Sequence, residues 1–518
     1  MTADPPSTTT DAARWGARAA APRAVAAAAT LLAATVALIL TARVLGPSQL
    51  FQNTDETKTV AFTADAAFEG AWILPRDSTG YPTLKPPLVN WIGAPFVATG
   101  WHSELAYKVP SILAALAAAG VAIAMSRRLY PRLAEAGNHP DDPDVAAGAG
   151  TLALAAAACL LASTGLVKHV YFLRPHMLMA AVLAVGWWSA TVCLERRDDR
   201  RSWRWAMAMW LAAAAAGLTK GPYALLIPAY ALAAAPFLHR SWRAFNATRW
   251  WWGVPLMVVP ALLWLWLAWR VDPEHVAGPL LGGELLERMP GQGEQAVRFK
   301  PLIAVYNVPL LAIERFAPWG VFAIIAMIFV PPWRWRTHAV APAILWVLVV
   351  YAALIATAGR AGSYILMATP ALAVLAAYAL ARIAANVRWH GVHIAAAALL
   401  AAAAISARES FLSRGARTGL GDEIAAFARA AEDLVGDDPV AFVGTGYNPV
   451  ANLMGRARHG EPTADALAAA VWIVQPADAP PPAPGAEPAL TSGALTRLRS
   501  EGAEVHSESP GLALFGPR

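Results

Sequence analysis

The feature that most constrains this chain is the recurrence of apolar runs, each about as long as a helix must be to cross a bilayer. They fall at residues 24–45, 104–125, 146–164, 176–194, 203–217, 221–238, 250–270, 309–330, 339–357, 362–384 and 391–407. Inside lipid every backbone polar group must find its partner within the segment. The expected fold class is therefore an α-helical polytopic membrane protein of about eleven spans, with about thirteen as the upper count. Runs 203–217 and 221–238 are short and divided by Lys220-Gly221-Pro222, so they read either as two spans or as one re-entrant pair. Composition agrees: 57% of the 518 residues are hydrophobic and 15% are charged, against roughly 25% charged in soluble domains. A cytosolic enzyme is excluded.

The first run follows Arg14, Arg18 and Arg23. It is longer than the roughly 7–15 residues of a cleavable h-region, so an uncleaved anchor is expected behind a disordered cytoplasmic stretch, 1–23. Lys and Arg in short loops set orientation. With the N-terminus inside, the inner loops carry Arg127, Arg128 and Arg132, the cluster Arg196 to Arg204, then Arg240, Arg243, Arg249, Arg334, Arg336, Arg382 and Arg388. The net charge of +6 is thus topological, with anionic membrane lipid as the contact, and a nucleic-acid partner is not expected. The expected location is the plasma (inner) membrane, multi-pass, with the long loops outside. Trp187-Trp188, Trp250 to Trp252, Trp333 and Trp335 read as interfacial belts at span ends. Cys159 and Cys193 fall inside runs and read as packing.

The domain reading follows: a membrane domain at 24–407, with outer segments 46–103 and 271–308 too long for turns, and an outer soluble α/β domain at 408–518. In the first outer segment, Val60–Phe68 and Leu88–Val97 fit helices lying along the surface. In the last domain, 421–434 reads as a helix, Val440–Gly444 and Val471–Gln475 as strands, Gly444-Thr-Gly446 as a plain turn, and Ala477–Pro488 as a Pro-rich loop.

The chemistry concentrates in the first outer segment, which reads Asn53-Thr54-Asp55-Glu56-Thr57-Lys58 and then Lys85-Pro86-Pro87-Leu88-Val89-Asn90-Trp91. A carboxylate pair beyond a span is either solvated loop charge or a base able to take a proton from an acceptor at the membrane surface. Lys58 and Lys85 are suited to hold a lipid-borne phosphate as point charges. Pro86-Pro87 stiffens the backbone beside Lys85 and suits a helix start.

These residues, with Trp72-Ile73-Leu74-Pro75, resemble the first periplasmic loop of the aminoarabinose (lipid A) transferase and protein O-mannosyltransferase families, which are GT-C class membrane glycosyltransferases. Leu218-Thr219-Lys220-Gly221-Pro222 resembles their Lys-Gly-Pro turn, and Glu284 to Arg288 with Pro318-Trp319 resembles a later segment. Gly359-Arg360-Ala361-Gly362-Ser363-Tyr364, running into Leu366 and Pro370, resembles their basic-Tyr-Leu-Pro signature. The resemblance covers about residues 50–385 in scattered pieces and leaves 408–518 unexplained.

It implies a GT-C fold and transfer of a hexosyl or pentosyl unit from a polyprenyl-phosphate donor to a lipid, glycan or protein acceptor at the outer face. By resemblance Asp55 is the catalytic carboxylate and Glu56 its acidic neighbour, while Lys58, Lys85, Arg360 and Tyr364 belong to the donor-phosphate side. Lys220 and Arg174 read either as snorkelling anchors or as further donor-site cations; the Gly-Pro break at Lys220 lets polar backbone line a cavity. The sequence also departs from the families: Thr59 stands for a common Tyr, Leu84 for an acid, and Arg174-Pro175-His176 for Arg-x-Asp. A divalent ion therefore loses ligand positions at Leu84 and His176, and none is assigned. His176 reads as a hydrogen-bonded interfacial residue. Lys168 and His169 read as solvated loop charge, Glu284, Glu287, Arg288 and Glu294 as loop structure or acceptor contacts, and Trp72, Trp91 and Trp101 as the outer-face aromatics near Lys85. The alternatives are a flippase for a polyprenyl-linked glycan, which would carry ionisable residues in mid-span, and a scaffold whose outer domain binds a partner.

Overall fold

The computed structural model describes residues 54–77, 80–100, 103–134, 143–161, 163–286, 301–330, 338–356, 363–386, 418–436, 438–442, 470, 472–476, 488–491 and 512–515. The chain runs through α1 (Thr54–Phe68), α2 (Leu88–Ala98), α3 (Ser103–Ala134), α4 (Pro143–Leu161), α5 (Thr164–Val170), α6 (Pro175–Glu195) and α7 (Ser202–Lys220). A 3-10 turn at Gly221–Leu225 leads into α8 (Leu226–His239), followed by α9 (Trp250–Val271) and a π-helical segment at Val276–Leu286. Then come α10 (Pro301–Arg315), α11 (Gly320–Phe329), α12 (Ala341–Ala356) and α13 (Thr369–Asn386).

Among the described residues four stretches are long and apolar enough to cross a membrane: Glu104–Leu129, Pro175–Glu195, Ser202–His239 and Trp250–Val271. The pair Leu152–Leu161 and Thr164–Val170, bent by 67°, is a fifth candidate. The sequence reading is redrawn for physical reasons. Runs 203–217 and 221–238 join into one helical stretch interrupted only at Gly221. Run 309–330 divides into α10 and α11 around Pro318, whose ring and missing N–H interrupt the ladder. Runs 24–45 and 391–407 lie outside the described residues.

Burial sorts the helices into a centre and a periphery. The apolar window of α6 is 83% buried, whereas that of α9 is 17% buried. A helix apolar on every face belongs inside, and α6 packs against α3, α7 and α8. Its neighbours approach closely through small residues, among them Ala114, Ala115, Ala118 and Ala122 of α3, because lipid offers no hydrophobic drive and close backbone contact replaces it. Peripheral α9 turns Val254, Val259, Leu262, Leu263 and Trp266 outward, as a helix solvated by acyl chains should.

One belt assignment changes. Trp187 is fully buried, stacks on Trp346 at 6.1 Å and donates its indole N–H to the Pro342 carbonyl at 3.2 Å. Mid-helix on α6, it is a core residue. Trp250 and Trp251, at the start of α9, are exposed, and Trp333 and Trp335 lie outside the described residues. Cys159 and Cys193 are free and buried.

Toward the C-terminus stand α14 (Thr418–Val435), β1 (Val440–Phe442), β2 (Trp472–Pro476), β3 (Pro488–Thr491) and β4 (Leu512–Phe515). The sheet order is β1-β2-β4-β3. β1 pairs with β2 in parallel, Val440 opposite Trp472, and β4 pairs antiparallel with both β2 and β3. On α14 Phe427, Ala428, Ala431 and Val435 are buried while Glu432 and Asp433 are exposed, the stripe of an amphipathic helix. Strands β3 and β4 have no counterpart in the sequence reading, and Gly444-Thr-Gly446 lies outside the described residues.

The α7–α9 contact is a direct check on this packing. Trp210 donates to the Thr248 carbonyl at 2.7 Å, and a methyl group on Gly253 would collide with its indole. Gly253→Ala is expected to cost about 1–3 kcal/mol through overpacking, read as a lower unfolding temperature in detergent. Gly120→Ala on α3, which would meet nothing within 4 Å, should leave that temperature unchanged or slightly raised.

Candidate functional site

The site begins at the first turn of α1, where Asp55 and Glu56 suit the positive end of the helix dipole. Lys58, Thr59 and Phe62 of α1 line a cavity of about 250 Å³. Position 55 precedes Lys58 and Thr59 by three and four residues, the spacing that shares a helix face. The Asp55 side chain lies outside the described residues. Glu56, one residue on, is turned about 100° away and is fully buried.

The opposite wall is the loop from Ala71 to Pro87. Its backbone folds into a hairpin: Asp77 N–H donates to the Tyr81 carbonyl at 2.9 Å and Thr83 N–H to the Pro75 carbonyl at 2.9 Å. The Asp77 carboxylate accepts from Tyr81 N–H at 3.1 Å, and Asp65 of α1 accepts from Arg76 N–H at 2.6 Å. Three ring N–H groups or nitrogens hold the loop from outside. Trp91 donates to the Trp72 carbonyl at 2.6 Å, Trp264 to the Ile73 carbonyl at 2.9 Å, and His275 Nε2 meets the Thr83 carbonyl at 3.2 Å. Asp77, Tyr81, Leu84, Lys85, Asn90 and Pro175 are among the other residues that line the cavity. Lys85 N–H donates to the Thr83 hydroxyl at 3.2 Å, fixing the backbone just before the two prolines. Trp91 is thereby a brace, Trp72 is exposed, and Trp101 lies outside the described residues.

A second cluster adjoins Pro175. Lys220 Nζ lies 3.0 Å from His176 Nε2 and 4.2 Å from the centre of the Tyr364 ring. Tyr223 stacks on Tyr364 at 5.1 Å, and His176 meets Tyr364 edge-on at 5.3 Å. Three segments more than 40 residues apart are thus joined by one ammonium that donates to an imidazole and rests on a π-face. Gly221 has φ +57 and ψ −111, a conformation essentially reserved for glycine; it ends α7 so that Lys220 points at this cluster. The Arg174 guanidinium stands 4.8 Å from the Phe172 ring centre. Arg174, Lys85 and Lys220 all lie within electrostatic range of His176.

Behind both clusters Glu56 forms an ion pair with Lys108 of α3, and each is completely buried. Glu56 Oε1 also accepts from Leu173 N–H at 2.8 Å. Burial pushes the Glu56 carboxyl above the usual carboxylate range, while Lys108 and the Leu173 N–H pull it back toward ionisation. At the other end of α6, about 30 Å away at 1.5 Å per residue, a separate cavity of about 190 Å³ is lined by Glu195, Tyr230, His239 and His338.

The structure therefore brings Lys58 and Lys85 to one cavity and Lys220, His176 and Tyr364 to one cluster beside it. Arg360, Glu287, Arg288 and Glu294 lie outside the described residues, as does the Glu284 side chain. Lys168 is exposed, and His169 is buried with Nδ1 2.6 Å from the Gly165 carbonyl. Asp77, Tyr81, His275 and Lys108 were not anticipated. Two of them left a trace in the sequence: Asp77 precedes Gly80 as turn residues do, and Lys108 is a charge inside an apolar run. A divalent ion does not fit the described residues. Leu84 offers no oxygen, His176 Nε2 is engaged by an ammonium, and no group of three His, Cys, Asp or Glu side chains converges.

Gly221→Ala is expected to cost about 1–3 kcal/mol and to displace Lys220 from His176. The check is a lower unfolding temperature together with weaker protection of the 220–225 amides in hydrogen exchange.

No family model matches the sequence, and no curated protein matches it. Among solved structures, ArnT from Cupriavidus metallidurans bound to undecaprenyl phosphate is similar over 94% of this chain and 97% of that chain, with a TM-score of 0.64 at 15% identity. ArnT in the apo state gives a TM-score of 0.64 at 16% identity, over 94% of this chain and 98% of that chain. The archaeal oligosaccharyltransferase AglB from Archaeoglobus fulgidus, in complex with an inhibitory peptide and a dolichol-phosphate, gives a TM-score of 0.43 at 11% identity, over 86% of this chain and 69% of that chain. At this identity the likeness to ArnT is one of fold, and this chain shares the fold of that structure.

Proposed function

We propose that this chain transfers a sugar from a polyprenyl-phosphate donor to a lipid, glycan or protein acceptor at the outer face of the plasma membrane. The observation that carries the reading is the convergence of Lys58 and Lys85 on one cavity, with position 55 spaced to share the α1 face of Lys58. Lys220, Arg174 and Tyr364 beside it extend the cationic and aromatic surface. The GT-C fold shared with ArnT, which binds undecaprenyl phosphate in its solved complex, is consistent with such a donor. In this reading 24–407 is the catalytic membrane domain and 408–518 an outer accessory domain.

The chemistry is a single displacement. An acceptor oxygen or nitrogen attacks the anomeric carbon, the bond from that carbon to the phosphate oxygen breaks, and polyprenyl phosphate leaves with the bonding pair. Asp55 takes the acceptor proton as general base. Lys58 and Lys85, with Lys220 and Arg174, stabilise charge growing on the leaving phosphate, an effect strengthened where water is excluded. Lys suits this role because its ammonium is a compact charge on a flexible stem. Glu56, buried against Lys108, is assigned to structure rather than to proton transfer. No step is routed through a metal ion.

Asp55→Asn is expected to abolish transfer while leaving expression and unfolding temperature unchanged; full turnover would remove Asp55 from its role. Lys85→Ala should lower the amount of co-purifying polyprenyl phosphate by about 10- to 100-fold, the range for one lost charge-assisted bond, as read by mass spectrometry of extracted lipids. Equal lipid in both proteins contradicts the reading. A reporter fused beside Lys85 and active only in the cytoplasm would reverse the orientation.

A further inference from the structure

Glu56 and Lys108 are fully buried charges that the proposed reaction does not consume. Their neighbours in the chain carry the chemistry on both sides. Glu56 directly follows position 55 on α1. The N–H that its Oε1 accepts belongs to Leu173, and the residues after Leu173 are Arg174, then Pro175 of the cavity wall, then His176 on Lys220. Lys108 grips the same two segments from α3. Its Nζ pairs with Glu56, lies 3.9 Å from Glu104, and stands 5.3 Å and 5.9 Å from the ring centres of Tyr171 and Phe172. One turn along, the Ser111 hydroxyl donates to the Phe172 carbonyl at 2.6 Å.

A buried ion pair is a costly way to join two helices, since apolar residues of similar volume are often as stabilising or more so. Here the cost is not fully offset, because Glu56 Oε2 is buried with no hydrogen-bond partner among the described residues. What the pair supplies, and an apolar contact would not, is direction. A carboxylate that accepts from both an ammonium and a specific backbone N–H sets the rotation of α1 and the path of 171–174 together.

We propose that Glu56 and Lys108 are positioning residues, which hold position 55 and the Arg174–His176 segment in one register so that the base and the phosphate-binding cations face the same reacting bond. The inference rests on the sugar-transfer reading above and assigns no contact with substrate to either residue.

The test compares wild type, Lys108→Met, Glu56→Gln and the double variant Glu56→Leu/Lys108→Met. The readouts are unfolding temperature, kcat and donor KM for sugar transfer, and hydrogen exchange of the 171–174 amides. Lys108→Met strands a buried carboxylate and should unfold at a lower temperature, whereas the double variant should recover it. Its kcat should nevertheless fall by about 10²-fold, the scale of a misplacement of roughly 1 Å, with donor KM within about threefold of wild type, and its Leu173 amide should exchange faster. A purely structural pair predicts the reverse: restored stability with wild-type kcat, which overturns the proposal. Where the double variant does not recover, Glu56→Gln decides, because it keeps shape and an acceptor for Leu173 but not the charge; wild-type turnover there also overturns it. If the wild-type protein transfers no sugar, the functional reading falls by itself. Exchange at Leu173 then still judges the positioning, and an unchanged rate in the double variant refutes it.

Discussion

An ammonium and a carboxylate meeting out of reach of water, Lys108 on Glu56, join the first turn of α1 to the long apolar helix α3. Helix α1 is only 15 residues long and carries the position from which the proposed reaction starts. Its place depends on what it is tied to. Lys108 ties its first turn to α3, and Thr63 reaches Asn90 of α2 at 3.1 Å. Asp65 then takes the Arg76 N–H of the following loop. From there Trp91, Trp264 and His275 hold that loop against α2, α9 and the segment after α9. The cavity is the space left between elements that are each fastened elsewhere, which gives it a shape before any ligand arrives.

The distribution of cations follows from the same construction. Of the six lysines, Lys58 and Lys85 border the cavity, Lys220 lies on Tyr364 and His176 beside it, and Lys108 stands behind it. Lys168 is exposed and Lys300 lies outside the described residues. Lys58, Lys85 and Lys220, with Arg174, gather positive charge at one end of α6, where an anion would be drawn, while the charge of Lys108 is taken up by Glu56. The other end of that helix has a different character: Glu195 there is tied to Arg128 as an ion pair.

Much of this was legible in the linear chain, for identifiable reasons. A Lys-Pro-Pro run and a Lys-Gly-Pro turn are local events, and Pro and Gly impose their conformations on the residues beside them. Lys85 and Lys220 could therefore be singled out before any contact was known. Helices over Val60–Phe68 and Leu88–Val97 were readable from their apolar content, whereas the start of the first at Thr54, among polar residues, was not. Other features were not legible, because they depend on who the neighbour is. Asp55 and Glu56 are chemically alike and adjacent, and only the rotation of α1 against α3 buries Glu56 beside Lys108. Trp187 looks like its interfacial relatives until α12 brings Trp346 against it. His275 reaches the Tyr81 ring and the Thr83 carbonyl across almost 200 residues, which no local pattern encodes.

The sequence by itself determined that the chain lies in a membrane, roughly where its helices run, and which short segments carry reactive side chains. Those properties are sums over neighbouring residues: transfer free energy along a run, and backbone restriction at Gly and Pro. Tertiary structure alone decided which charges share a volume and which cancel in pairs. Lys58 and Lys108 are the same side chain, yet one borders a cavity and the other neutralises a buried carboxylate. Coulomb energy depends on separation in space and on the dielectric between the charges, and neither quantity is a property of position along the chain.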